Sequence, residues 1–133
     1  MNRSVLIFAL CFMTVLLACQ AQARPKTRFD ATTQTCRILN RGQLDWDSQP
    51  YGEGGKVFRE FCKSCHTRDN DKGAPFLHSE SKTSEGWNRV FAKRYPKCAK
   101  DGTWDALTQE QLLKVNDYLF RFALNSEGLN DSC

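Results

Sequence analysis

Five consecutive residues, Cys62-Lys63-Ser64-Cys65-His66, combine two thiols and an imidazole at a spacing that suits one kind of chemistry. Two thiols three positions apart near a helix end can reach the two vinyl groups on one porphyrin edge and form thioether bonds with them. The histidine after the second thiol is then held beneath the iron as its proximal ligand. This order of residues is the attachment motif of c-type haem, and we predict one covalently bound haem c.

Two other uses of a C-x-x-C pair fit the surrounding sequence less well. A structural zinc ion takes about four ligands, and the other candidate ligands are scattered along the chain. A thioredoxin-like redox pair would stand at a strand–helix junction inside a βαβ pattern, and no such pattern surrounds Cys62. The sequence therefore favours haem over both.

The composition indicates one small domain without the charge of a nucleic-acid-binding protein. The chain has 133 residues, with 19 Lys and Arg against 15 Asp and Glu, and seven cysteines. A net charge of +4 is too small for nucleic-acid binding. It suits docking to a moderately acidic protein, with a mixed, solvated surface as the alternative. So many cysteines in a short chain indicate an oxidising compartment.

Residues 1–23 have the pattern of an export leader. Arg3 precedes an almost unbroken apolar run from Val5 to Ala18, too short to span a bilayer comfortably but suited to a signal peptide. Two processing sites compete. A lipobox ending at Cys19 would give an acylated, membrane-anchored protein, and an A-x-A site at residues 21–23 would give an unanchored one. Both predict export to the periplasmic side of a bacterial envelope.

The rest of the chain divides into two parts. Residues 24–50 show no sustained hydrophobic period, so we predict an irregular arm there. Residues 51–133 contain the motif and are the predicted haem domain. Apolar residues recur at helical spacing in three stretches of the latter. These are residues 51–61, residues 84–95, and a stretch that starts at a capping box over 108–111 and ends near Asn125. No segment alternates long enough to predict a sheet, so the sequence predicts an all-α fold.

Together these features resemble the class I cytochromes c. The resemblance covers roughly residues 51–124. It rests on Gly54-x-x-x-Phe58-x-x-x-Cys62-x-x-Cys65-His66, on Gly73-Ala74-Pro75-Phe76-Leu77, and on Tyr118-Leu119 in the last helix. It implies a small all-α globule in which the N- and C-terminal helices cross and one covalently bound haem lies in a cleft.

The resemblance also implies roles for individual residues. Gly54 and Phe58 would meet the last helix near Tyr118-Leu119. The Pro75 carbonyl would accept a hydrogen bond from the His66 ring, which orients the ligand and tunes its basicity. Leu77 would pack on the proximal face of the haem.

The distal side departs from the family, whose members usually supply a methionine from the loop before the last helix. The only methionines here, Met1 and Met13, lie in the predicted leader. The candidates for the sixth iron ligand are therefore His78, Lys93, Lys97, Cys98 and Lys100. Lysine would ligate as a neutral amine and cysteine as a thiolate. The family's P-x-L-H pattern places its histidine on the surface, which argues against His78, and an open sixth position is a further alternative.

Three cysteines remain beyond the haem motif and the predicted leader: Cys36, Cys98 and Cys133. We expect a Cys98–Cys133 disulfide, which would tie the C-terminal tail to the loop before the last helix. The alternatives are Cys36–Cys133, Cys36–Cys98 and iron ligation by Cys98.

The sequence predicts an electron-transfer protein, not an enzyme: an exported monohaem cytochrome that carries single electrons between redox partner proteins. A tethered haem with one exposed edge needs no substrate pocket. Lys56, Arg59, Lys63 and Lys72 surround the motif and predict a rim for acidic partners, with ordinary surface charge as the alternative. Because no methionine is available, the competing prediction is a gas-binding or gas-sensing haem, or a haem subunit of a larger oxidoreductase.

Overall fold

Helices form most of the structure, which the computed structural model describes over residues 23–127 and 132–133. The described part contains two strands, β1 (Thr27–Asp30) and β2 (Thr35–Ile38), followed by the helices α1 (Gly42–Asp47), α2 (Glu53–Glu60), α3 (Ser84–Lys93), α4 (Lys97–Lys100) and α5 (Gln109–Arg121). Single 3₁₀ turns lie at Cys62–Ser64, Ser79–Ser81 and Thr103–Ala106. Residues 1–22 of the predicted leader, with Cys19, lie outside the described residues. None of the described helices has the length and apolar character needed to cross a membrane.

The three predicted helices are present, each with an earlier end than expected. α2 stops at Glu60, α3 at Lys93 and α5 at Arg121. The predicted capping box starts α5, because the Gln111 N–H donates to the Thr108 hydroxyl at 3.1 Å and the Thr108 N–H donates to Gln111 Oε1 at 3.0 Å. The mostly helical class is thus confirmed.

The hydrophobic core forms where α2, α3 and α5 pack together. Trp104 of the 3₁₀ turn before α5 and Ala123 after α5 also belong to it. Its buried members are Val57, Phe58, Trp87, Val90, Phe91, Trp104, Leu112, Val115, Leu119 and Ala123. α2 and α5 approach each other closely at Gly54, where any Cβ would overlap the Lys114 carbonyl oxygen. One turn later the rings of Phe58 and Tyr118 lie in tilted contact, with centroids 5.9 Å apart. Gly54 and Phe58 therefore both meet the last helix.

A β-hairpin corrects the prediction that residues 24–50 form an irregular arm and that the chain has no sheet. β1 and β2 are antiparallel, with Phe29 opposite Cys36. Arg28 and Asp30 are buried, whereas Phe29 between them is 39% exposed. The polar side chains of β1 thus face inward, which is the reverse of the apolar-inward alternation by which strands are usually predicted.

A buried ion cluster of Arg28, Asp30, Arg37 and Asp117 holds the hairpin against α5. Arg28 Nε and Arg37 Nε each donate to the Asp117 carboxylate at 2.8 Å, and Arg28 Nη1 donates to Asp30 Oδ2 at 2.8 Å. Burial alone would raise the pKa of Asp30. Hydrogen bonds from the Arg28 side chain and from the Thr33 backbone outweigh that effect and lower the pKa well below its usual range.

A disulfide between Cys36 and Cys133 joins β2 to the C-terminus. The predicted Cys98–Cys133 bridge is therefore wrong, and Cys98 is a free thiol. The hairpin explains the difference, because it brings Cys36 to the tail. Phe29, the strand partner of Cys36, donates its backbone N–H to Ser132 Oγ at 2.8 Å.

Candidate cofactor site

A cavity of about 570 Å³ opens beside the end of α2. Its walls come from two parts of the chain, the segment 58–77 and the segment from residue 82 to Trp104, with Leu119 of α5. All six residues predicted to surround a cofactor line it: Phe58, Cys62, Cys65, His66, Pro75 and Leu77. The volume lies within the range of about 300–1,000 Å³ that is usual for cofactor and ligand pockets.

The backbone of the C-x-x-C-H segment forms a tight turn after α2. The helix ends at Glu60, and the 3₁₀ turn Cys62–Ser64 follows at once. The N–H groups of Cys65 and His66 both point to the Cys62 carbonyl oxygen, at 3.3 and 3.1 Å. This turn places two thiols and one imidazole on the same wall of the cavity. Ser64, between the thiols, also lines the cavity but is exposed.

The Pro75 backbone orients the His66 ring. Nδ1 of His66 lies 2.7 Å from the Pro75 carbonyl oxygen. Because a carbonyl oxygen only accepts, Nδ1 carries the proton of this hydrogen bond, which leaves Nε2 as the ring nitrogen that could bind a metal ion. Histidines that bind metals usually donate their second nitrogen to a backbone carbonyl or a carboxylate in this way. This is the contact that the resemblance implies.

Asn70 holds the loop that connects His66 to Pro75, and the sequence analysis did not identify it. Its side-chain amide donates to two carbonyl groups of the loop and accepts from two N–H groups, at 2.8 to 3.1 Å; the partners belong to Thr67, Lys72 and Ala74. An asparagine in a short polar loop beside Gly73, whose φ is 64°, is the available sequence signal for such a turn.

Replacing Asn70 with alanine is expected to lower the free energy of unfolding by about 1–2 kcal/mol, because the loop backbone loses its side-chain partners. The His66 ring N–H should also exchange faster with solvent, since Pro75 is held less firmly. Urea unfolding and an NMR spectrum of the imidazole protons measure the two effects. Asp69→Ala, at an exposed position of the same loop, is the matched control and should change stability by less than about 0.5 kcal/mol. Equal effects of the two substitutions would contradict the role given to Asn70.

All three unbonded cysteines of residues 23–127 and 132–133 line the cavity: Cys62, Cys65 and Cys98. Burial, with a smaller effect of the Cys98 thiol, raises the pKa of Cys62 to about 12. Cys62 is therefore a neutral thiol at neutral pH. A reactive redox cysteine or a zinc ligand works as the thiolate, whereas a thioether is uncharged and suits a buried sulfur. Within the same residues, no group of three His, Cys, Asp or Glu side chains is placed to hold a metal ion.

The structure separates the five candidates for a sixth iron ligand. Lys97 and Cys98 line the cavity, whereas His78, Lys93 and Lys100 are exposed and are not on its walls. The side chain of Lys97 is 92% exposed, and its ammonium group lies 3.2 Å from Asp101 Oδ2. Cys98 is half-buried and packs against the hydrophobic core.

Aromatic side chains of α3 and the segment after it make the second wall mostly apolar. Trp87 is buried and donates its indole N–H to the Ser79 carbonyl at 2.6 Å. The rings of Phe91 and Trp104 stack with centroids 5.0 Å apart. The sequence predicted a helix over residues 84–95 with apolar side chains at helical spacing, and two of these side chains, Trp87 and Phe91, line the cavity. Lys82 and Tyr95, which the sequence analysis did not select, also line it.

No protein-family model, no curated protein and no solved structure matches this chain. The chemistry of the cavity therefore follows from its own residues. Two thiols and one oriented imidazole lie on one wall, and apolar aromatic side chains lie on the other. This donor set, in a pocket of this volume, suits a planar apolar macrocycle with a metal ion at its centre.

Proposed function

We propose that this protein is a monohaem c-type cytochrome that carries single electrons between redox partner proteins. The observation that supports it best is the convergence of Cys62, Cys65 and His66 on one cavity, with the His66 ring oriented by the Pro75 carbonyl at 2.7 Å. Cys62 and Cys65 would hold the haem through thioether bonds, and His66 Nε2 would be the proximal iron ligand. The bound haem would supply a metal centre that gains and loses one electron.

The remaining walls would set the surroundings of that centre. Phe58 and Leu77 would pack against the macrocycle beside His66, and Trp87 and Phe91 would cover the other side. An apolar shell of this kind keeps out water and disfavours a change in net charge, and both effects tune a reduction potential. The hydrogen bond from His66 to Pro75 would raise the basicity of the ligand.

A cationic surface beside the motif supports an acidic redox partner. Phe76 is 41% exposed. The Lys63 ammonium group lies 4.3 Å and the Arg68 guanidinium carbon 5.3 Å from the centroid of its ring. Lys56 and Lys72 are exposed nearby in sequence. Glu60, Asp69 and Asp71 are also exposed in this segment, and Asp71 pairs with Lys72 at 3.6 Å. Lys63 and Arg68 beside Phe76 are therefore the cations that would steer an acidic partner.

The place of action belongs to the same proposal. The leader pattern of residues 1–23 supports export to the periplasmic side of a bacterial envelope. Acylation at Cys19 would anchor the mature chain to a membrane, whereas cleavage after the A-x-A site would release it. Mass spectrometry of the mature N-terminus distinguishes the two.

Covalent haem attachment is the direct test. After expression with a cytochrome c maturation system, the wild-type protein should keep one haem through denaturing electrophoresis and should be reduced and reoxidised by one electron in a potentiometric titration. The double variant Cys62→Ala/Cys65→Ala should lose the covalent haem completely. Ser64→Ala, between the two thiols, should keep it. A wild-type protein that carries no haem would refute the proposal.

Gas binding is the second candidate function. The cavity-lining residues between Lys82 and Trp104 include no methionine and include Trp87, Phe91 and Trp104. High-spin iron that binds CO readily in the wild-type protein would favour it over electron transfer. Low-spin iron that is indifferent to CO would favour the carrier.

A further inference from the structure

Cys98 is neither part of the disulfide nor one of the two proposed haem attachment points. Among the residues that the structure describes, Cys36 and Cys133 are bonded to each other, and Cys62 and Cys65 are the proposed attachment points. Cys98 lies in α4, packs against the core and lines the cavity. The pairing of Cys36 with Cys133 thus leaves a third sulfur at the site.

Cys98 comes from a different part of the chain than His66. The imidazole is supplied by the turn after α2, and Cys98 by the short helix after Pro96. The Cys98 thiol is close enough to Cys62 to contribute to the raised pKa of that thiol, so the two segments adjoin at the cavity. An occupant attached through Cys62 and Cys65 is therefore met by donor groups from both segments.

The other polar groups on the second segment are less suited to a buried metal. Lys97 is almost fully exposed and paired with Asp101, whose carboxylate also accepts two hydrogen bonds from Thr103. Lys82 lies over the Trp87 ring, with its ammonium group 5.8 Å from the centroid, and Tyr95 is 44% exposed. Sulfur is a soft donor that binds haem iron well. Cys98 is also the member of this set that packs against the hydrophobic core.

We infer that Cys98 is the sixth ligand of the haem iron. This inference rests on the proposed function, since it requires a haem attached at Cys62 and Cys65. Coordination forms one iron–sulfur bond, and the thiol proton leaves to solvent. No electron is transferred, so no oxidant or reductant is needed. The anionic sulfur stabilises ferric iron relative to ferrous iron, and the reduction potential is lower than that of a methionine-ligated haem in the same pocket.

Substitutions at Cys98 test the inference in the haem-loaded protein, read by electron paramagnetic resonance and visible absorption. The wild-type ferric protein should give a low-spin, thiolate-type spectrum. Cys98→Ala should lose that spectrum, become high-spin and bind added imidazole, while keeping its covalent haem. Cys98→Met should return the iron to low spin without the thiolate character and should raise the reduction potential.

Lys100→Ala is the matched control, because it changes an exposed residue of the same short helix that is not on the cavity walls, and it should leave the spectrum unchanged. A Cys98→Ala protein that keeps the wild-type spectrum would overturn the ligand assignment while leaving the haem proposal intact, since the covalent haem is measured separately on a denaturing gel. If Cys98→Ala fails to fold, the Cys98→Met spectrum decides: an unchanged thiolate-type signal would overturn the assignment. A wild-type protein without haem would overturn both proposals.

Discussion

Replacing Asp117 with asparagine is expected to lower the free energy of unfolding by about 3–5 kcal/mol, although the two side chains are nearly the same size. Asp117 is fully buried and accepts hydrogen bonds from Arg28, which is also fully buried, and from Arg37. Removing the carboxylate charge leaves two guanidinium groups without their main counterion in a medium that solvates them poorly. Urea unfolding followed by far-UV circular dichroism measures the loss.

Glu110→Gln is the matched control for this prediction. Glu110 also pairs with Arg37, at 3.5 Å, but its side chain is 55% exposed. An exposed pair of this kind contributes roughly 0–1 kcal/mol, so the control should change stability by no more than that. If Asp117→Asn costs no more than Glu110→Gln, the ion cluster does not hold the hairpin to α5 in the way that the structure indicates.

Removing the Cys36–Cys133 disulfide is expected to cost about 2–5 kcal/mol, near the upper end because the bridge closes a long loop. The two cysteines are 97 positions apart in sequence, so the unfolded chain gains much conformational freedom when the bond is absent. The double variant Cys36→Ser/Cys133→Ser and the wild-type protein in a reductant should show the same lower stability in urea unfolding.

The same experiment tests the pairing itself. A digest under non-reducing conditions should yield a peptide pair that contains Cys36 and Cys133, and Cys98 should not appear in a bridged peptide. A linked Cys98–Cys133 pair would restore the pairing expected from the sequence and contradict the structure. Full stability of the double variant would show instead that the bond is not needed by the fold.

The helices and the motif could be predicted because their signals are local. A capping box at Thr108 and apolar side chains every three or four residues are enough to start a helix and to give it a buried face. The turn that gathers Cys62, Cys65 and His66 is equally local, since the N–H groups of Cys65 and His66 both donate to the Cys62 carbonyl oxygen. Convergence of Pro75 on the His66 ring came from the resemblance, and it required the loop that Asn70 holds.

The hairpin and the disulfide could not be predicted in the same way, because their stabilising contacts join distant parts of the chain. β1 turns Arg28 and Asp30 inward and leaves Phe29 partly exposed, so hydrophobicity indicates the wrong face. Arg28 is acceptable there only because Asp117, far along the chain, supplies its counterion. Cys36 is matched with Cys133 by the same hairpin. Local sequence patterns identify neither Asp117 as the partner of Arg28 nor Cys133 as the partner of Cys36.

The separation between the buried ion cluster and the cavity bears on how such a protein matures. None of Arg28, Asp30, Arg37 and Asp117 lines the cavity, and neither does either cysteine of the disulfide. The contacts that close the scaffold therefore do not depend on a cofactor being present. Cys133, once bonded to Cys36, also cannot form a disulfide with Cys62 or Cys65. Among the described residues, the Cys36–Cys133 bond thus leaves Cys98 as the one other thiol that could pair with Cys62 or Cys65, which favours disulfide formation before attachment of the proposed haem.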